Sequence, residues 1–463
     1  MKKENKLTSI LLDDPLLYFV LGVVILLIFS NSLYRWFSHD ELEAIHSSWK
    51  ILNGEIIYVD FFQHHHAFLY YTLAPLLKVF GESTLTLVFF RVIIFVLYIL
   101  IVWVTYNIAL LLFDSKKTGL LSVILLSCIT TFFERAIEVR PDVPQVFFGL
   151  VAIYFFVLQH KRKATKYTLL GSFSLGISFL FLQKTLFLMI GILLLQVVRL
   201  YTKKTTFATI CIYWFSFGLA LIPYLYYIVH NGFMSDYVLC NWIININFLD
   251  SFSPIRGLVL SYIRHPVVWT FFALGLLFCR RYIVKEVCAL SLMLLLSVFL
   301  VKLPYEQYYM MFFPLMAIIA GHGLVSTLHS RVAINSIASF AVAAVAMIIL
   351  CKNLVMTTNT HQVEKMEYVI SNTNRSDYVY DGDIQFNIFR KDIDFFWYSV
   401  GPNTGLETYE SLYAYDYNIY ELIDRFKPKI ISNYYIDNMN HEIIKKQYHP
   451  SDKYEDIFVR KTL

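Results

Sequence analysis

Residues 84–113 read TLTLVFFRVIIFVLYILIVWVTYNIALLLF, thirty positions with one charged side chain, Arg91. A helix rises about 1.5 Å per residue, so this run is longer than the ~30 Å of hydrocarbon in a bilayer. Similar apolar runs recur from Pro15 to Cys351 and then stop. The whole chain of 463 residues is 57% hydrophobic and only 16% charged, where a soluble domain carries about a quarter charged residues. Backbone groups in lipid must be satisfied internally, and long apolar runs rather than short alternating ones select helices over a barrel. The sequence predicts a polytopic α-helical membrane protein. Its spans fall near 15–33, 84–113, 117–132, 143–158, 167–183, 185–200, 207–229, 263–280, 286–301, 309–327 and 333–351, about eleven in all. The first is read as a retained helix, because no small-residue cleavage site follows it. The apolar segment 67–82 is short and is expected to lie re-entrant or along the interface.

Lysine and arginine set the orientation. Lys2, Lys3 and Lys6, then Lys116 and Lys117, Lys161 to Lys166, Arg199 to Lys204, Arg280 to Lys285, and Arg331 fall in every second connection. That face is cytoplasmic by the positive-inside rule. The N-terminus is then inside, and the tail from Lys352 is outside. The net charge of +5 is spent on topology and calls for no nucleic acid. The six cysteines form no CxxC pair and read as buried thiols. In the tail the period changes. Helices are expected at 360–373 and 415–427, and strands at 376–381, 394–399, 429–436 and 454–460, giving a small C-terminal α/β domain. The expected division is residues 1–351 for the membrane domain, with an outer loop 34–66, and 352–463 for the extracytoplasmic domain.

The outward connections carry the chemistry. The first contains His39-Asp40-Glu41, where Ser38 or Asp40 could cap a helix running to Leu52 with Asn53-Gly54 as its stop. An acid at a helix start is favoured by the dipole; one at the membrane surface, beside apolar walls, can also serve as a base. Further on stand Gln63, His64, His65 and His66. Three consecutive histidines raise a metal site, but sequence neighbours rarely converge on one ion and no HExxH accompanies them. Contact with a phosphate is the other reading. The second outer connection, ERAIEVRPDVPQVFF, places Asp142 directly before a span, with Arg140 as a salt-bridge partner. Lys184, Arg256 and Arg264 are read either as snorkelling cations or as phosphate contacts. Tyr308, in KLPYEQYY, is first of all an interface anchor.

The order of these features resembles the GT-C fold of membrane glycosyltransferases: an acidic pair after the first span, NG-x-x-x-Y-x-D-F, a histidine step into YYTLAPLLKVFG, Arg91, RPD, the lone Lys184, PYEQYYMMFFP and an α/β tail. The protein O-mannosyltransferase and lipid A aminoarabinose transferase groups are the nearest in pattern. The resemblance implies transfer of a sugar from a polyprenyl-phosphate carrier to an acceptor hydroxyl of a glycan, lipid or protein, outside the membrane and with inversion. Asp40, with Glu41 beside it, then matches the catalytic acid of the first loop, and Asp142 the second. His64, His65, Lys184, Arg256, Arg264 and Tyr308 become donor phosphate or sugar contacts. Relatives have a Pro-Pro pair where this chain has His66-Ala67. No cofactor is expected, and no metal. The partners are the carrier-linked sugar, its acceptor and membrane lipids; the location is a bacterial plasma membrane. A lipid-carrier flippase would instead place charges in mid-span and break helices at the bilayer centre. A non-catalytic relative would keep the fold and lose the site.

Overall fold

The computed structural model describes residues 14–249, 253–328, 348, 351–352, 358–402 and 404–461. The chain divides into two compact units: Met1–Leu33, Arg91–Leu225 and Phe252–Met356 form the first, and Tyr34–Phe90, Tyr226–Ser251 and Thr357–Leu463 form the second. Tyr34–Phe90 thus folds with the tail, rather than with the long apolar helices.

Five helices among the described residues are long and apolar enough to cross a membrane: Leu17–Tyr34, Thr84–Phe113, Asp142–Arg162, Phe207–His230 and Tyr282–Leu300. Two further candidates are broken. Lys116–Cys128 bends by 81° into Thr130–Ala136, and Pro254–Arg264 by 101° into Pro266–Phe278. Counting each bent pair as one span gives seven. Thr185–Tyr201 and Phe312–Thr327 are apolar but shorter, as is Phe68–Phe80. Thr165–Phe181 has only 17 residues, five of them Ser or Thr. The expected span 333–351 lies almost wholly outside the described residues.

In the first unit, glycines bring helices to backbone contact. A Cβ on Gly275 would overlap the carbonyl oxygen of Ile319, and one on Gly323 that of Phe271, so Pro266–Phe278 and Phe312–Leu328 touch along these positions. Close approach of small residues is how helices gain contact in lipid, where apolar burial offers little. Gly275→Leu is expected to destabilise the protein by about 1–3 kcal/mol or more by overpacking, read as a lower melting temperature in detergent; an unchanged value would mean the helices can part freely. Arg91 is fully buried, and its Nη1 donates to the Ser32 carbonyl at 3.2 Å. That carbonyl lies in the last turn of Asp14–Tyr34, where a cation meets the negative end of the helix.

In the second unit the tail builds a four-stranded sheet ordered β1-β2-β4-β3, with β1 Val379–Tyr380, β2 Ile430–Ser432, β3 Tyr448–Pro450 and β4 Ile457–Arg460. β1 and β2 are parallel; β2–β4 and β3–β4 are antiparallel. Helices Thr360–Ser371 and Ile419–Phe426 match the expected ones. Ile419, Ile423, Ile431, Ile444 and Tyr448 share one core. The expected strand 394–399 is irregular, and Gly405–Tyr413 and Glu442–Gln447 are additional helices.

Candidate functional site

Helix His39–Leu52 begins as its sequence suggests. Ser38 is the N-cap, and its N–H donates to Glu41 Oε2 at 3.0 Å, one arm of a capping box. The stop comes at Asn53, and Gly54 follows at φ +93, a conformation glycine adopts without strain. Glu41 is wholly buried, whereas Asp40 is half-buried. His39 faces Asp383 at 3.5 Å. The hydrogen bond that His39 donates to Asp383 raises the His39 pKa against the opposing effect of burial, helped by the charges of Asp383 and Asp40.

Positions 39, 43, 46 and 50 recur at helical spacing and share a face. Glu43 accepts from Gln63 Nε2 at 2.7 Å, and Gln63 Oε1 accepts from the Tyr398 hydroxyl at 2.9 Å. One turn along, Asp392 Oδ2 meets His46 Nε2 and Lys50 Nζ, each at 2.7 Å, while Oδ1 accepts from Asn387 at 2.9 Å. Lys50 also reaches Glu55 at 3.1 Å. Burial favours the neutral carboxyl of Asp392, but the charges of His46 and Lys50 outweigh it and hold the group below the usual carboxylate range. Sequence reading passed over Glu43, Asp392 and Tyr398, and named Gln63 without giving it a role. The one available signal was the spacing of Glu43, His46 and Lys50 on one helix face.

The three histidines diverge. His64 and His65 approach through their Nε2 atoms at 3.1 Å, and His64 Nδ1 lies 3.2 Å from the Tyr398 hydroxyl. His66 is buried and pairs with the Tyr237 hydroxyl at 3.0 Å. Among the described residues no group of three or more His, Cys, Asp or Glu is placed to hold a metal.

The first unit holds the other predicted acid. Asp142 is the first residue of Asp142–Arg162, behind the short loop that supplies Glu138 and Arg140. The expected Arg140–Asp142 pair forms, Nε to Oδ2 at 3.0 Å. Arg140 Nη1 also binds Glu138 at 2.9 Å, and Glu138 binds Arg135 at 3.0 Å. Lys184 Nζ completes the run, 3.1 Å from Asp142 Oδ1. Lys184 was read as a snorkelling or phosphate-binding cation; the structure gives it a buried carboxylate and the face of Tyr308, with Nζ 4.1 Å from the ring centroid.

Lys184 and Tyr308 line a cleft with Gln145, Ser297 and Gln307, whose inner volume is about 20 Å3, room for one water-sized group. Burial, and then the charge of Asp142, push the Tyr308 hydroxyl up, so it stays a donor at neutral pH. The remaining predicted cations do not line this cleft. Arg264 pairs with Glu306, which also accepts from Thr131 at 3.1 Å. Arg256 is exposed on Pro254–Arg264. Asp142, Lys184 and Tyr308 are therefore brought together within the first unit, and Asp40, Glu41, His64 and His65 belong to the second.

Residues 64–229 match the family model described as dolichyl-phosphate-mannose-protein mannosyltransferase. No curated protein matches the chain in sequence. Among solved structures, ArnT from Cupriavidus metallidurans bound to undecaprenyl phosphate superposes with a TM-score of 0.71 at 12% identity, covering 96% of this chain and 97% of that one. The same protein in the apo state gives 0.63 at 13% identity, with 85% and 87% covered. The archaeal oligosaccharyltransferase AglB from Archaeoglobus fulgidus, in complex with an inhibitory peptide and a dolichol-phosphate, gives 0.53 at 12% identity, with 89% and 69% covered. The chain is thus a multi-pass membrane protein with the GT-C fold, similar to the protein O-mannosyltransferase and lipid A aminoarabinose transferase group.

Proposed function

We propose that this protein transfers a sugar from a polyprenyl-phosphate carrier to an acceptor hydroxyl. The observation that carries the reading is the Lys184 cleft: a half-buried ammonium, oriented by Asp142, beside a protonated tyrosine hydroxyl and two side-chain amides. Such a donor set suits the oxygens of a phosphate, and charge-assisted bonds are the strong ones. The fold likeness to ArnT with undecaprenyl phosphate and to AglB with a dolichol-phosphate supports the same ligand class.

In the proposed reaction the acceptor oxygen attacks the anomeric carbon, and the bond from that carbon to the phosphate oxygen breaks. The carrier leaves as its phosphate, so no strong general acid is needed. Lys184 and Tyr308 stabilise the departing charge; Asp40 is proposed separately, from the resemblance of the first loop alone, as the base for the acceptor proton. A single displacement inverts the anomeric centre. Asp142 holds two cations and acts as a positioning residue for Lys184. The N-terminus is cytoplasmic and the tail extracytoplasmic, in a bacterial plasma membrane.

Hydrogen bonds to charged groups contribute about 1.5–3 kcal/mol. Lys184→Met is therefore expected to weaken binding of labelled polyprenyl-phosphate sugar by at least about tenfold, with Lys184→Arg retaining most of it. Equal donor affinity in Lys184→Met would place the phosphate elsewhere. The same membranes separate transfer from carrier movement: label passes to a new acceptor in the first case and stays on the carrier in the second.

A further inference from the structure

A second cleft lies in the first unit, at the far end of Asp142–Arg162. It is enclosed by that helix, Thr165–Phe181, Thr185–Tyr201 and the first two turns of Phe207–His230. Gln159, on its rim, is 17 residues along the helix from Asp142, about 25 Å away. The floor is made of Thr168, Arg199 and Tyr213, all buried, and the half-buried Thr205 and Thr209 share the rim with Gln159. Its inner space of about 20 Å3 admits one water or one phosphoryl oxygen.

Two of the floor groups have no protein partner. Thr168 Oγ1 and Tyr213 Oη are buried and make no hydrogen bond. Each such orphan costs about 1–3 kcal/mol, so something else satisfies them. The surroundings select an anion. Arg199 meets Glu286 through Nε and Nη2, which neutralises that carboxylate and leaves further guanidinium N–H donors. Thr168 and Thr209 stand in the opening turns of two helices, where the dipole is positive. The ends of the same helices carry Lys161, Arg162, Lys163, Lys166, Lys203 and Lys204, all exposed. The flanking outward surface is apolar: Leu169, Leu170, Val197, Val198, Phe207 and Ile212 are exposed. A ligand with a phosphate head and acyl chains fits both halves of this surface.

We propose that this cleft binds the phosphate of an anionic phospholipid, at the membrane face opposite the Lys184 cleft. One phosphoryl oxygen reaches Thr168 and Tyr213, Arg199 offers a remaining N–H while its charge is balanced by Glu286, the exposed lysines at the helix ends supply the positive field, and the acyl chains follow the apolar flank. The site is independent of the sugar-transfer reaction and holds the basic end of the helices at headgroup level.

The test is native mass spectrometry of the full chain in detergent, titrated with phosphatidylglycerol, phosphatidylcholine or inorganic phosphate. The wild type is expected to retain phosphatidylglycerol in preference to phosphatidylcholine. Thr168→Val combined with Tyr213→Phe should lower that retention by about tenfold or more, as loss of charge-assisted bonds implies. Both changes keep shape and remove a polar atom that has no protein partner, so the melting temperature without lipid should hold or rise; each single variant should move retention in the same direction. Equal retention by wild type and double variant overturns the proposal, because the lipid is then only annular. Saturable binding of inorganic phosphate with no preference for phosphatidylglycerol also overturns it, and assigns the cleft to a free anion. Failure of wild type to retain either lipid leaves the cleft to water and overturns it as well.

Discussion

Asp40→Asn is expected to lower the initial rate of sugar transfer by about two to four orders of magnitude, the range typical of a general base, while donor binding is largely kept. The structure sharpens the contrast with a purely structural role. The N-cap of His39–Leu52 is Ser38, and Glu41 carries the capping contact from full burial. Asp40 does neither and is half-exposed at the helix start. Successive helical residues point about 100° apart, so Glu41 cannot take over the same proton. Asparagine serves a helix start about as well as aspartate, and a structural Asp40 would make the variant nearly silent. Glu41→Gln should cost less in rate and show its effect in stability. An Asp40→Asn enzyme of normal rate, assayed in the same membranes, would remove Asp40 from the mechanism.

Asp392→Ala should destabilise the second unit by about 3–5 kcal/mol, the usual cost of stranding buried charge. His46 and Lys50 are 0% and 3% exposed and both close on the Asp392 carboxylate. Thermal unfolding in detergent, or the rate of proteolysis within the tail, reads the effect; a loss below about 1 kcal/mol would mean that water replaces the carboxylate. The pH dependence has a fixed sign. Asp392 is depressed in the folded protein, so its stabilisation is full above the ordinary carboxylate pKa and is lost as pH falls through the depressed value. For Lys50, burial lowers the pKa, but Asp392 and Glu55 together raise it above the usual lysine value. Its share is full below that usual value and is lost as pH rises through the raised one. The wild type should therefore be stable across the neutral range, and the acid limb of its stability profile should be shallower in Asp392→Ala.

What the sequence made legible was local. Ser38, Glu41 and Asn53-Gly54 specify the start and stop of one helix within a few residues, and the helix follows them. The apolar runs marked most membrane helices for the same reason. The break inside 117–132 was missed, because it falls at Ile129, between Ser127-Cys128 and Thr130-Thr131, with no proline, glycine or charge to mark it. Residues 394–399 hold four consecutive aromatics, a composition that favours strands, yet their hydrogen bonds go to residue 62 instead. The Phe395 carbonyl accepts from the Phe62 N–H, and Trp397 donates to the Phe62 carbonyl. Asp142 and Lys184 were each singled out, but 42 residues separate them and nothing local announced their bond. Asp392 had no signal at all, since an acid in a polar tail looks like any other until its partners are in place.

The ionic tie between the outer-loop helix and the tail joins residues 346 apart in the chain. Synthesis proceeds at about 5–20 residues per second, so His46 is made roughly 20–70 seconds before Asp392 exists. Throughout that interval Lys50 and His46 have no carboxylate from the tail to meet. The second unit can reach its native state only after the last hundred residues have been made, and a chain halted before Asp392 carries a loop that quality-control proteases can recognise as unfinished.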